Sequence, residues 1–405
     1  MTLLNRRHLL SLTGSAATML ALGPARLALA DAPTDARFVL AIQRGAMDGL
    51  HAVPPYGDPN YKALRANLAL ADDGGADGVL DLDGKFGLHP KLTELKAWYD
   101  KGELTVVHAV ATPYRERSHF DGQDLLENGT TQPHASASGW LNRTLDLMGG
   151  TKDRRLGLAL GPEVPLALRG KTEVASWAPD NLPAAAPDFL NLVQAMYQRQ
   201  PMLADTLRQA IGADAMADQA MGANAAMTPL RPGNAARVLA DAGGKLLAQP
   251  NGPRIAVLEL QGWDTHTAQG LGQNGRMAAA LQQMNDAMAA LKAALGPAWS
   301  KTVVMTATEF GRTARPNGSG GTDHGTATAL FLGGGAVDGK RVIANWPGLE
   351  FAQRYQNRDL APTTDFRAVA KGVLTAHLGI PPDALASVVF PQSAGAQPMK
   401  ELLRA

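Results

Sequence analysis

The sequence predicts an α/β protein with a mostly parallel central sheet and helices on both faces. Two observations predict it. Short apolar runs alternate along the chain with amphipathic helical stretches, the order expected when helices carry the chain back between parallel strands. Acidic and histidine side chains follow several of those runs closely, and in such sheets ligands sit beyond the carboxyl ends of the strands.

The elements read in order as follows. Arg37 to Gln43 (RFVLAIQ) is a buried strand that ends in the glycine-bounded loop Arg44-Gly-Ala-Met-Asp48-Gly. A helical pattern from about Pro90 to Lys101, with Leu92, Leu95 and Trp98 spaced three apart, precedes a second strand, Leu104 to Val110. Ser118 opens the helical stretch HFDGQDLLEN, 119–128. Leu156 to Leu160 is a weaker strand. Residues 184–250 are rich in Ala, Met, Gln and Pro and read as helices and loops, an insertion over one face of the sheet. Arg254 to Leu260 and Thr302 to Thr308 are strong strands. Between them lies a helix whose apolar stripe is Leu281, Met284, Met288, Leu291 and Leu295. A further strand runs from Thr328 to Leu332, and a last helix from about Phe366 to Leu378.

The first thirty residues read as a leader rather than as fold. Asn5-Arg6-Arg7-His8 is a basic start with a twin arginine, the following apolar run is broken by Gly14, Gly23 and Pro24, and Ala28-Leu-Ala30 is an A-x-A cleavage pattern. The expectation is export by the twin-arginine route to the periplasm, followed by one domain over 31–405. No later stretch has eighteen consecutive apolar residues, so no membrane span is expected. Loss of residues 1–30 would remove three arginines and no acid, leaving 35 basic against 37 acidic residues. That balance gives no electrostatic case for a nucleic-acid partner. The absence of cysteine excludes disulfides, thiolate metal sites and a cysteine nucleophile.

Five clusters could carry chemistry. Asp264-Thr-His266 places two ligand-type side chains on one face of an extended segment, because strands alternate faces at every second residue. The same triplet also suits a hydrogen-bonded turn. Asp323-His324 closes a run containing Gly318, Gly320 and Gly321, which would let a loop fold back toward a site or simply form a mobile surface loop. Glu309 follows a buried strand, where a carboxylate is costly unless it is paired or metal-bound. Its alternative is a salt bridge with Arg312 or Arg315, and Arg312 could instead clamp an oxyanion. Ser118 is an N-cap by default, and equally a nucleophile at a helix N-terminus. His119, Asp121 and Asp323 are further ligand candidates. Asp48 could hold a metal or form the turn before Gly49. Together these offer hard oxygen and nitrogen ligands, a hydroxyl and a cation, the set that two-metal hydrolases need.

The strings RGAMDGL (44–50), PYGDPNY (55–61), FGLHP (86–90), RSHFDGQ (117–123), TEFGRT (308–313), NGSGGTDHG (317–325) and PTTDFRAV (362–369) resemble those of the DUF1501 family, exported proteins of uncharacterised function. That family is placed with the alkaline phosphatase-like superfamily of sulfatases and metal-dependent phosphomutases. The resemblance implies an alkaline phosphatase-like three-layer sandwich with metal at the strand ends. It makes Asp264, His266 and His324 ligands of one ion and Asp48 and Glu309 ligands of a second, with Ser118 as the bridging nucleophile. Arg312, read from its planar fork, is the second catalytic candidate. One departure stands out. The superfamily's second site pairs Asp with His, where this chain has Glu309-Phe310, so His119 would have to substitute or the second ion be lost. One or two divalent ions (Zn, Mg, Mn or Ca) are implied, with an ester of a small molecule or an envelope polymer as substrate. Phosphate is preferred to sulfate, because Ser118 lacks the following x-Pro-x-Arg of matured sulfatase nucleophiles. The functional expectation is an exported metal-dependent hydrolase of phosphate (or sulfate) esters acting through a serine. The alternative is a non-catalytic exported binding or structural protein with a vestigial metal site.

Overall fold

The computed structural model describes residues 34–72, 74–149, 156–179, 187–201 and 233–404, with single residues and short stretches between 203 and 231. The expected leader lies outside the described residues. The apolar runs become the strands β1 (Arg37–Gln43), β2 (Leu104–Ala111), β3 (Gly157–Leu160), β4 (Ala175–Trp177), β5 (Ile255–Leu260), β6 (Thr302–Ala307), β7 (Thr328–Gly333), β8 (Arg341–Ile343) and β9 (Thr364–Asp365). The main helices are α1 (Thr93–Asp100), α2 (His119–Asn128), α3 (Trp140–Leu147), α4 (Ala235–Ala248), α5 (Arg276–Leu295) and α6 (Phe366–Leu378).

The nine-stranded sheet runs β8-β2-β7-β6-β1-β5-β3-β4, with β9 also paired to β2. All pairings are parallel except those of β7, which runs antiparallel to both β2 and β6. The centre is β1, in register with β5 (Ile42 opposite Glu259) on one side and with β6 (Ile42 opposite Ala307) on the other.

Each central strand feeds two cores. On β1, Val39 and Ala41 face one core while Phe38, Leu40 and Ile42 face the other, the two-residue period of a strand buried on both sides. The first core takes Leu95 and Trp98 of α1, Leu239 and Leu247 of α4, and the whole predicted stripe of α5. The second takes Trp140 and Leu141 of α3 and Val369, Val373 and Leu374 of α6. The mostly parallel sheet with helices on both faces is therefore as the sequence predicts. Residues 184–250 differ from the expectation at one end. Helix α4 lies in the first core through Leu239, Leu246 and Leu247. A Cβ at Gly244 would stand 2.8 Å from the Leu291 carbonyl oxygen of α5, so this glycine lets the two helices approach closely, while a Cβ at Gly243 would meet Leu160 of β3. No helix among the described residues is long and apolar enough to cross a membrane.

Three histidines are sealed inside this scaffold. His51, His89 and His108 are each 0% exposed. His51 makes no hydrogen bond of ordinary geometry through either ring nitrogen. Burial pushes His51 and His108 down to about 4 and His89 down to about 2. For His51 the Asp48 carboxylate opposes that shift and the Arg65 cation reinforces it. The folded values lie below the ordinary 6.5, so below pH 6.5 the unfolded chain binds protons that the folded chain refuses. Stability is thus complete above about pH 6.5 and falls as the pH drops from there toward 4, by at most about 1.4 kcal/mol per pH unit per histidine. Urea midpoints from pH 7.5 to 4.5 for the wild type and His51→Leu check this. The variant should show the shallower loss, and equal slopes would refute the assignment to His51.

Candidate metal centre

The site is built where three loops meet beyond the carboxyl edge of the sheet. The loop after β1 carries Gly45 between its neighbours. The Gly45 amide donates to Glu309 Oε1 (2.9 Å) after β6. On its other side a Cβ would stand 2.6 Å from the Asp264 nitrogen after β5, and its φ is +118°, so this position requires glycine. The stretch after β6 leaves the sheet and returns. Thr313 N donates to Asp323 O (2.8 Å), Gly311 N to Thr326 O (2.9 Å) and Gly325 N to Gly311 O (2.8 Å). These bonds close the glycine-rich excursion and deliver His324. A Cβ at Gly325 would lie 2.3 Å from the Arg312 backbone, which is why a glycine follows His324.

Three imidazoles and one carboxylate converge there. His324 Nε2 lies 2.9 Å from His119 Nε2 and 2.9 Å from His266 Nε2. Asp264 Oδ1 is 3.1 Å from His266 Nε2 and 3.4 Å from His324 Nε2, and its Oδ2 is 3.6 Å from His119 Nε2. Among the described residues, His119, Asp264 and His324 satisfy the mutual spacing of a metal-ligand group.

The other ring nitrogens fix the chemistry. His119 Nδ1 faces Glu309 Oε1 (2.7 Å), His324 Nδ1 faces the Arg117 carbonyl (2.9 Å) and His266 Nδ1 faces Asp323 Oδ1 (3.2 Å). Each partner is an acceptor, so each Nδ1 carries the proton and each Nε2 turns a lone pair inward. Three such lone pairs beside a carboxylate repel one another unless a proton or a metal ion lies among them. Within the group of His119, Asp264 and His324 the separations, 2.9 to 3.6 Å, bracket the edge of about 3.4 Å for a tetrahedron with centre-to-ligand distances of about 2.1 Å, and His266 Nε2 stands beside His324 and Asp264. The donor set fits a divalent ion, and the Nδ1 acceptors are the partners that orient histidines around metals.

Electrostatics agree with this arrangement. Burial alone would push the Glu309 carboxyl up, but hydrogen bonds from His119, Gln123 (3.0 Å) and Thr308 (2.9 Å) hold it below its usual range. The hydrogen bond to Glu309 raises His119. Burial lowers His324, against the pull of the Arg117 carbonyl. Asp264 stays ionised because the hydrogen bond and charge of Arg312 outweigh its partial burial.

The other candidates have the following contacts. Glu309 is fully buried, with Oε1 accepting from Gly45 N and facing His119 Nδ1 and Oε2 accepting from Thr308, which places it to steer His119. His119 joins the cluster of Asp264, His266 and His324, not a second site. Asp48 is 1% exposed and lies in a buried ion pair with Arg65 (2.5 Å), while also accepting from Gln269 (2.6 Å) and Leu50 N (3.1 Å). Arg312 is 1% exposed and donates to Asp264 Oδ1 (2.7 Å), Thr322 Oγ1 (3.2 Å) and the Thr322 carbonyl, which leaves no free fork for an anion. Asp323 buttresses His266, and Asp121 pairs with His134 (3.2 Å) away from the cluster. Ser118 is the N-cap residue of α2 but its side chain makes no cap bond. Arg65, Gln123, Gln269 and Thr322 were not expected. Only Gln123 left a trace in the sequence, one helical turn after His119.

Removing the charge of Glu309 while keeping its shape tests its steering role. Glu309→Gln should weaken metal binding about 10–100-fold, the usual cost of losing a partner behind a ligand. Chelator competition measures it, and an unchanged affinity would count against the role.

Fold and site together define an α/β protein with a histidine-rich cluster at the carboxyl edge of its sheet whose residues could hold a metal ion. The chain belongs to the DUF1501 family, described as a protein of unknown function, whose model matches residues 95–374. No curated protein sequence matches it. Among solved structures it is similar to the C-terminal periplasmic domain of EcEptC from Escherichia coli in complex with Zn. The identity is 10%, covering 75% of this chain and 74% of that one, with a TM-score of 0.33. It is also similar to the phosphonate monoester hydrolase of Agrobacterium radiobacter, at 11% identity over 86% and 74% of the two chains, again with a TM-score of 0.33. Scores this low carry neither protein's chemistry to this chain.

Proposed function

We propose that the protein is an exported, metal-dependent hydrolase of phosphate esters with Ser118 as nucleophile. The observation that supports it most is the convergence of three histidine Nε2 atoms and the Asp264 carboxylate, with every Nδ1 held by an acceptor. His119, His266, His324 and Asp264 would hold one ion. Three imidazoles and one carboxylate suit zinc better than magnesium or calcium, which favour all-oxygen shells. When bound, that ion would supply Lewis acidity toward an ester oxygen. Ser118 stands between two residues of the centre: the Arg117 carbonyl accepts from His324, and the His119 ring enters the cluster. Its hydroxyl is not spent on capping α2, and a helix N-terminus favours the negative charge that develops there. Ser118 Oγ would form the new bond to phosphorus as the ester's alcohol departs, and water would then release the phosphoryl group. Export rests on the twin arginine and A-x-A pattern of residues 1–30.

The test is a panel of chromogenic phosphate mono- and diesters, phosphonate esters and sulfate esters, with metal content measured on the same preparation. Ser118→Ala should lose at least about 100-fold in turnover, within the range such groups contribute, with metal content unchanged. Full activity in that variant would remove the nucleophile assignment. One observation favours a second reading, a binding or structural protein with a single ion. Asp48 is paired with Arg65 and Glu309 faces His119 Nδ1, contacts that favour one ion over two. Inactivity on every ester, with one ion firmly bound, would select that reading.

A further inference from the structure

A buried polar chain leads away from the centre, and the function above does not use it. Arg312 Nη1 donates to Asp264 Oδ1 (2.7 Å) and its Nε donates to Thr322 Oγ1 (3.2 Å). Thr322 Oγ1 donates to Gln269 Oε1 (2.7 Å), and Gln269 Nε2 donates to Asp48 Oδ2 (2.6 Å). Arg65 Nη2 closes the far end on Asp48 Oδ2 at 2.5 Å. Thr265, which separates Asp264 from His266, turns its hydroxyl inward to the same Gln269 Oε1 (3.1 Å). Arg65, Asp48, Thr265, Gln269, Arg312 and Thr322 are all between 0% and 1% exposed.

Every donor in this chain has one sense. Asp48 and Asp264 are carboxylates at the two ends and can only accept. Gln269 must therefore point its amide nitrogen at Asp48, which leaves its oxygen for the two threonine hydroxyls. Thr322, with its hydrogen on Gln269, accepts from Arg312. No link can reverse without leaving a buried polar group unpaired, which is costly in a low-dielectric interior. The chain therefore holds Arg312, and through it Asp264, in one orientation, while Thr265 holds the backbone between two ligands.

We propose that Asp48 and Gln269 are positioning residues for the metal centre, acting through Thr322 and Arg312 on Asp264 and through Thr265 on the Asp264–His266 segment. The inference rests on the reading that this cluster binds a metal ion. It also gives a reason for a carboxylate at Asp48 that does not require Asp48 to touch the ion.

The experiment uses the purified full-length chain, with zinc affinity from chelator competition and the visible spectrum of the cobalt(II)-loaded protein as readouts. Gln269→Met, close in size but unable to bridge, should weaken zinc binding about 10–100-fold and shift the cobalt bands, which report ligand placement. Thr322→Val cuts the same chain at another link and should do likewise, so the test survives if one variant fails to fold. Leu291→Ala, a core truncation on α5 away from the chain, is the control and should leave affinity and spectrum unchanged. Wild-type affinity and bands in both Gln269→Met and Thr322→Val would overturn the inference, as would equal losses in Leu291→Ala. If the wild type binds neither zinc nor cobalt, the reading of the cluster itself falls, and the inference falls with it.

Discussion

His324→Ala is expected to weaken metal binding by well over 100-fold and to leave the purified chain essentially metal-free. Changes behind a ligand already cost about 10–100-fold, and His324 is a ligand candidate at the centre of the group. Its Nε2 is the one within 2.9 Å of both other imidazoles. Alanine would also leave the Arg117 carbonyl without its partner, loosening the backbone beside Ser118. His119→Ala should behave similarly. His134→Ala should not, because that ring is exposed and pairs with Asp121 and Asp124. Elemental analysis and chelator competition on the three variants decide the matter. Stoichiometric metal in His324→Ala would mean that the cluster is not the binding site.

Asp48→Ala is expected to destabilise the fold by about 3–5 kcal/mol, the usual cost of removing one partner of a buried ion pair. Arg65 is 0% exposed, and its remaining contacts are weak ones to the Thr313 and Ala314 carbonyls at 3.3 Å. Its charge would remain buried without a counter-ion. Gln269 Nε2 would also lose its acceptor. The loss should appear in denaturant titrations whether metal is present or chelated. A ligand role for Asp48 predicts the opposite pattern, with the loss confined to the metal-loaded protein. A change under about 1 kcal/mol in the chelated protein would refute the ion-pair assignment.

Much of the fold was legible because buried strands announce themselves by composition. Phe38 to Ile42, Ile255 to Leu260 and Val303 to Ala307 are short apolar runs that had few alternatives. The α5 stripe from Leu281 to Leu295 repeats at helical spacing. The edge strands Ala175–Trp177 and Arg341–Ile343 are too short and too exposed to carry a period. The direction of β7 was not legible at all, because an apolar run reads the same either way. Its reversal explains why His324, which precedes its strand, reaches the same edge as Asp264, which follows one. Residue types at the site were visible, but roles were not. Glu309 and Asp48 each follow a buried strand, as ligands do. What sets them apart is a partner elsewhere in the chain, His119 for one and Arg65 with Gln269 for the other. No local pattern records such pairings.

The ligands come from loops far apart in sequence, with His119 and His324 separated by 205 residues and His266 and His324 by 58. An unfolded chain would hold these groups at low effective concentration, and with no cysteine it would offer a free ion no thiolate alternative. An ion bound at this centre would therefore select the native state over the unfolded one. By linkage it would add about 2.7 kcal/mol when free metal stands at a hundred times its dissociation constant. The melting temperature would then track metal concentration, and supply of the ion where the chain folds would become part of the protein's stability.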